Sequence, residues 1–210
     1  MAKAQPVSSV TAQEVPAKER IRAAALELFA TRGVDAAPLR AVATSAGVTV
    51  GLIVHHYGTK EALREAVEIG IVERFEKAIA SVPLTSRPPR DLAAARDDAV
   101  ADMLAANPLV VDYLRRALLD SSTEMGNVVE RLSRLSAQQV RELRDAGVAS
   151  TKHTVGEQVV TIMVGQLGRL FLQPLVDRIA AEFAHRFATD HTALREDEDF
   201  WRRAGEHFDG

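Results

Sequence analysis

Two adjacent histidines, His55 and His56, close the apolar run Val50-Gly51-Leu52-Ile53-Val54 and are followed by Tyr57 and the exit Gly58-Thr59-Lys60. Imidazole binds metals and moves protons near neutral pH, so this pair is the first place to look for chemistry. Geometry counts against both uses. Neighbours on a helix point about 100° apart, whereas two ligands of one metal normally sit three or four residues apart on a shared face. Within the segment no serine, cysteine or carboxylate stands ready as a catalytic partner, although residues distant in sequence could supply one. No catalytic residue, metal site or cofactor is therefore assigned. A helix too short to form a core alone, with valines beside two polar rings, is instead suited to meeting something outside the protein.

The elements that must position this segment are legible from periodicity. "AKERIRAAALELFATRG" places Ile21, Ala25, Leu28 and Phe29 on one helical face, with Gly33 placed to end the helix in the left-handed conformation. Pro38 suits the first turn of a second helix, where its missing donor costs nothing. That helix carries Val42, Ala43 and Ala46 to a stop at Gly47. Thr49 can cap a third helix by accepting from a free backbone N–H. In it, Ile53 and Tyr57 lie four apart and point inward with Val48. Val50, Gly51, Val54 and His55 then face outward, with His56 at the flank. Two short helices joined by a tight turn, with small Ala43 at the point of approach, form a helix-turn-helix pattern.

Composition bounds the rest. The 210 residues are rich in alanine and aliphatics and poor in aromatics, which suits an all-α protein without strands. With no cysteine there is no disulfide framework, thiolate metal site or thiol nucleophile. The N-terminus lacks an apolar signal core, and Arg169 interrupts the best candidate span, so a cytoplasmic protein without a membrane segment is expected. The net charge of −3 conceals an asymmetry. Residues 1–60 hold seven Lys/Arg and four acids, whereas 61–210 hold 19 and 25. A mildly basic head on an acidic body is compatible with a polyanion meeting one end only.

Residues 21–67, "IRAAALELFATRGVDAAPLRAVATSAGVTVGLIVHHYGTKEALREAV", resemble the DNA-binding head of the TetR family of bacterial transcriptional regulators. The resemblance rests on the Ala-rich start and Leu-Phe end of the first helix and on the Gly before the second. Val42-Ala43, Ala46-Gly47-Val48-Thr49 and Gly58-Thr59-Lys60-Glu61 with Leu63 complete it. It implies a three-helix head whose third helix enters the major groove of double-stranded DNA, and a fourth helix leading to a larger helical ligand-binding and dimerisation body. Arg40, Thr49, His56 and Lys60 are then the expected phosphate contacts, and Val50, Gly51, Val54 and His55 the residues facing base edges. Arg40 could also reach a guanine. Two positions depart from the family: Val54 replaces a usual tyrosine and Pro38 a frequent threonine, removing two hydroxyls that could reach phosphate. The body diverges among members, so no particular ligand is implied.

The expected domains are a disordered arm at 1–15, a helix-turn-helix domain at 16–62 and a helical ligand-binding and dimerisation domain at 63–210. Helix four repeats Leu63, Val67, Ile71, Phe75 and Ile79 at fourfold spacing. A loop with three prolines, "SVPLTSRPPR", follows. Further helices are expected over "DLAAARDDAVADMLAAN", from Pro108 over "PLVVDYLRRALLD", and over "MGNVVERLSRLSAQQVRELRDAG". From Val155 an apolar stripe (Val159, Ile162, Met163, Leu167, Leu170, Phe171) runs up to Pro174 and resumes in "LVDRIAAEFAHRF". The resemblance implies that the last two long helices pair with their copies in a homodimer; ordinary core is the alternative use of such a stripe. Met103, Tyr113, Gln166 and Arg169 are the candidates to orient an unidentified small-molecule effector, set against surface exposure or internal pairing for each. The expected function is a ligand-responsive transcriptional repressor that binds an inverted-repeat operator as a dimer and is released by a small molecule. The alternative is a helical enzyme or a ligand-binding signalling bundle in which the helix-turn-helix is structural only.

Overall fold

The structure, a computed structural model, describes residues 15–84, 89–119 and 127–190. Residues 1–14 of the expected arm, 85–88 of the three-proline loop, 120–126 (with Asp120 of one expected helix and Met125 and Gly126 of the next) and 191–210 lie outside the described residues. Within the described residues every regular element is a helix: α1 (Ala17–Arg32), α2 (Leu39–Ala46), α3 (Val50–Tyr57), α4 (Lys60–Ala80), α5 (Pro89–Ala105), α6 (Pro108–Leu119), α7 (Asn127–Asp145) and α8 (Val155–Asp190). The chain divides into two compact units, one ending at Met163 and the other starting at Val164.

In the first unit, α1 is the hub of the head. Its buried residues Ile21, Ala25, Leu28 and Phe29 are those of the expected face, extended by Ala24, Leu26 and Ala30. Against it pack Val42, Ala43 and Ala46 of α2, Ile53 of α3 and Leu63 and Val67 of α4, all buried. Glu19 in the first turn and Arg32 in the last match the helix dipole. Gly33 closes α1 through its N–H to Phe29 O at 3.0 Å. Its φ of 85° is positive as expected, but its ψ of 161° lies outside the left-handed helical region. That extended positive-φ conformation is open essentially to glycine alone, and it turns the chain away from the helix at once.

Pro38 stands just before α2 rather than inside its first turn. From there its carbonyl accepts from Ala41 and Val42 at 2.9 and 3.3 Å, so the ring still sits where no helical donor is needed. Gly47, at φ 64° and ψ 41°, supplies the left-handed residue, and Val48 N–H returns to Ala43 O at 2.9 Å. Thr49 and Thr59 cap α3 and α4, accepting from Leu52 N at 3.2 Å and Ala62 N at 3.1 Å.

α4 buries Leu63, Val67, Ile71 and Phe75, while Ile79 is only half-buried. α5 and α7 cover it, through Leu92, Val100 and Leu104 and through Val128, Leu132, Leu135 and Val140. The start of α8 is fixed by a reciprocal cap, Thr154 N–H to Glu157 Oε2 at 2.7 Å and Glu157 N–H to Thr154 Oγ at 3.2 Å. These bonds hold the Glu157 carboxyl below the usual carboxylate range.

α8 does not pause at Pro174. The pattern suggested a stripe that stops there and resumes, yet one helix runs from Val155 to Asp190. Proline removes a single backbone donor, and the bonds on either side carry the helix past it. In the second unit, Val164, Phe171, Leu172, Leu175, Val176, Ile179 and Phe183 of α8 are exposed. The side chains of Leu167 and Leu170 lie outside the described ones.

Candidate nucleic-acid interface

α3 owes its orientation to two inward anchors. Ile53 is 1% exposed against α1 and α2, and the Tyr57 hydroxyl donates to Lys18 O at 2.8 Å, tying the end of α3 to the start of α1. Burial pushes the Tyr57 phenol above its ordinary range, with the Arg22 charge opposing it. The Lys18 ammonium stands 5.9 Å from the centre of the same ring, within cation–π range. Arg20 adds a donor from α1 to Ala46 O at 3.3 Å, at the end of α2. The helices of the motif are thus held from behind.

What faces out follows. Val50 and Val54 are 40% and 48% exposed, large values for valines on a helix whose other side is core. Gly51, His55 and His56 are exposed with them, as are Thr49 and Arg40. The two imidazoles meet edge to face with centroids 5.4 Å apart. Among the described residues no three His, Cys, Asp or Glu side chains group to hold a metal ion. From Ala36 to Lys60 the chain contains no acid, so nothing on α2 or α3 would repel a phosphate. The open glycine matters too: a Cβ at Gly51 would meet only Thr49 Oγ, at 3.9 Å, so the position is kept clear for close approach from outside.

Lys60 is half-buried, and its ammonium donates to Asp35 O at 3.1 Å, which places it against the α1–α2 loop. Glu61 beside it is drawn below the usual carboxylate range by its own backbone N–H and by Thr59, so this turn holds its negative charge close to the helix start.

The residues expected to orient a ligand do not share one compact unit. Met103 is half-buried on α5, with its carbonyl accepting from Asn107 Nδ2 at 2.7 Å. Tyr113 on α6 is 4% exposed, and its hydroxyl donates to Glu68 Oε1 of α4 at 2.9 Å. Gln166, half-buried, and Arg169, exposed, belong to the second unit and each has an interaction of its own.

Sequence reading passed over Glu68. It is 1% exposed, its Oε2 has no hydrogen-bond partner, and burial pushes its carboxyl up against the pull of Tyr113, Arg64 and Arg131. A signal was present: with Val67 and Ile71, position 68 completes an i, i+1, i+4 set that a covered helix buries. Arg116 on α6 was also missed; it donates to Ala30 O at 3.1 Å and Thr31 O at 2.9 Å, at the end of α1.

A small head with an outward, acid-free second helix of a helix-turn-helix, joined through α4 to a helical body, defines the class of helix-turn-helix DNA-binding proteins. Residues 21–67, the head alone, match the family model for bacterial regulatory proteins of the tetR family. The chain is 31% identical over 135 residues to the HTH-type transcriptional regulatory protein RaaS of Mycobacterium tuberculosis, a match covering 64% of this chain and 58% of that protein. The chain thus spans less than two thirds of the length of that relative. Two solved structures share the fold. One, from Shewanella sp. PV-4 and assigned to the tetR transcription regulators, superposes with a TM-score of 0.65 at 21% identity, covering 85% of this chain and 98% of the other. The other is the multidrug binding protein EbrR in complex with imidazole, with a TM-score of 0.57 at 21% identity, covering 76% and 87%.

Proposed function

We propose that the chain is a ligand-responsive transcriptional repressor that binds an inverted-repeat operator in double-stranded DNA as a homodimer, acts in the cytoplasm, and is released by a small-molecule effector. The observation that carries the reading is the α3 surface: Val50, Gly51, Val54 and His55 stand exposed on a helix whose opposite side is locked by Ile53 and Tyr57. Val50 and Val54 offer methyl groups that suit the methyl of thymine, and Gly51 permits close approach. Arg40, Thr49, His56 and Lys60 flank that face as phosphate partners. Residues 16–62 form the reading domain and 63–210 the ligand-binding and dimerisation domain.

One short helix reads only a few base pairs, so a second copy is needed for a specific site. The exposed apolar residues of α8, from Val164 to Phe183, are a face that a second copy would cover. The family model matched by the head and the imidazole complex of EbrR support an effector site in the body; Met103 and Tyr113 of the first unit and, separately, Gln166 and Arg169 of the second are the residues to test. Among the described residues no helix is long and apolar enough to cross a membrane. Effector control then follows from competition between states: DNA selects the head spacing that fits successive major grooves, and a ligand that prefers another spacing lowers DNA affinity. Selection of bound fragments from random duplex DNA tests the reading. An enriched inverted repeat is expected; no enrichment over input, or a single half-site bound by a monomer with full affinity, would refute it.

A further inference from the structure

The last turn of an α-helix leaves its final carbonyls without intrahelical donors. In α1, Gly33 N–H takes Phe29 O, but Ala30 O and Thr31 O are taken by a side chain from another helix about eighty-five positions on: Arg116 of α6. We propose that Arg116 is the positioning residue that sets the orientation of the DNA-reading head on the body by capping α1 from α6. The inference rests on the DNA-reading function proposed above, to which it adds the element that couples effector and operator sites.

Three observations support it. The guanidinium presents its donors as a rigid fork and carries positive charge at the negative end of the α1 dipole, so one side chain satisfies two carbonyls and fixes a direction as well as a distance. The Arg116 stem lies directly against Gly33: a Cβ there would be 3.5 Å from Arg116 Cδ, an ordinary van der Waals contact, so the side chain runs along the very end of α1. On the loop side the joint is otherwise open, a cleft of about 740 Å³ bounded by the α1–α2 loop and by Asp112, Arg115 and Leu119. α1 and α6 also pack directly on one another, so the fork adds a fixed direction to a packed contact.

α6 is itself held one turn earlier. Tyr113, three residues before Arg116 and on the same flank, donates to the buried Glu68 of α4. A chain of direct bonds therefore runs from Glu68 through Tyr113 and α6 to Arg116 and the end of α1. It continues through α1 to Lys18 O, Tyr57 and α3. Arg116 lies on neither α2 nor α3, so its effect on DNA is indirect.

The full chain carries no cysteine, so a head label at Ser45→Cys on α2 and a body label at Asp98→Cys on α5, both exposed positions, report the head–body distance by spin-label spectroscopy. A single narrow distance distribution is expected with Arg116 present, and a broad or displaced one in Arg116→Gln. Affinity for the selected inverted repeat is expected to fall on the order of tenfold as the fork is lost, with the salt slope unchanged because no phosphate contact is removed. Should Arg116→Gln fail to fold, Arg116→Lys, which keeps the charge without the fork, is expected to broaden the distribution. An unaltered distribution in the folded variant overturns the proposal, as does a loss of affinity accompanied by a reduced salt slope. If the unsubstituted protein retains no duplex, the DNA-reading function has failed, while the distance measurement still decides the role of Arg116.

Discussion

The head and the body place their polar chemistry in opposite ways. In the head the core is wholly apolar, with Ile21, Phe29, Val42, Ile53 and Leu63 within 1% of full burial, and the groups that could recognise anything stand outside it. In the body the uncommon chemistry is interior: Glu68 with Tyr113 between α4 and α6, and Arg96, 9% exposed, donating to Val82 O and to the Gln139 side chain. An apolar core makes the head a rigid frame that can present side chains without spending stability on them. A buried carboxyl leaves the body with a local conflict, since desolvation opposes the charge that its arginine neighbours favour. Under the proposed function, rigidity suits the head that reads DNA and a contested interior suits the body that answers an effector.

The contrast can be broken first by weakening the frame. Phe29→Ala removes a side chain that is 1% exposed at the centre of the head and is expected to cost ~3–5 kcal/mol of unfolding free energy in a denaturant titration. Tyr113→Phe is the matching test for the body. It leaves both Glu68 oxygens without a donor and is expected to cost ~1–3 kcal/mol. If Tyr113→Phe were neutral, the buried pair would not constrain α6.

The pH dependence sharpens the same point. The Glu68 pKa is raised in the folded protein, so the folded state holds a proton that the unfolded state has already released. Its contribution to stability is therefore full below the ordinary carboxylate range and is lost as pH rises from there through the raised value. Glu68→Gln should flatten this part of the stability–pH curve in parallel denaturation series. Identical curves for the two proteins would mean that Glu68 ionises in place as readily as in water.

Legibility differs between the regions for a physical reason. The head's turns are written locally: Gly47 needs the left-handed conformation, Thr49 and Thr59 cap the residues three ahead, and Ile53 and Tyr57 share a face because they are four apart. Such signals need only neighbours in sequence. Pro38 shows the margin of error, one position off, since its ring is equally comfortable just before the helix. The Glu68–Tyr113 bond joins residues 45 apart, and Arg116 reaches carbonyls 85 and 86 positions back. No spacing rule announces either. Within "YLRRALL" nothing local distinguishes Arg116 from Arg115; only the end of α1 beside it does. The passage of α8 through Pro174 was hidden because a proline rule speaks for one bond, while the bonds around it decide.

Smaller effects separate the phosphate contacts. Arg40→Ala and Lys60→Ala are each expected to weaken specific and non-specific duplexes alike and to lower the salt slope by about one unit. Because the Lys60 ammonium already donates to Asp35 O, its variant should also loosen the α1–α2 loop, which amide exchange would register while Arg40→Ala leaves that loop protected. Unchanged slopes for both variants would remove these residues from the interface.

Under the proposed function α3 reads bases with one flank and backbone with the other, and His55 and His56 divide these two roles. The measurement is the affinity of the full chain for the selected inverted repeat and for each of its single-base variants, compared with His55→Ala and His56→Ala. His55, beside Val54 on the outward face, should change which half-site bases are preferred with little change in total affinity. His56, at the flank, should weaken every duplex by a similar factor and leave the preferences intact. If both variants keep the affinities and the preferences of the unsubstituted protein, α3 is not the reading helix.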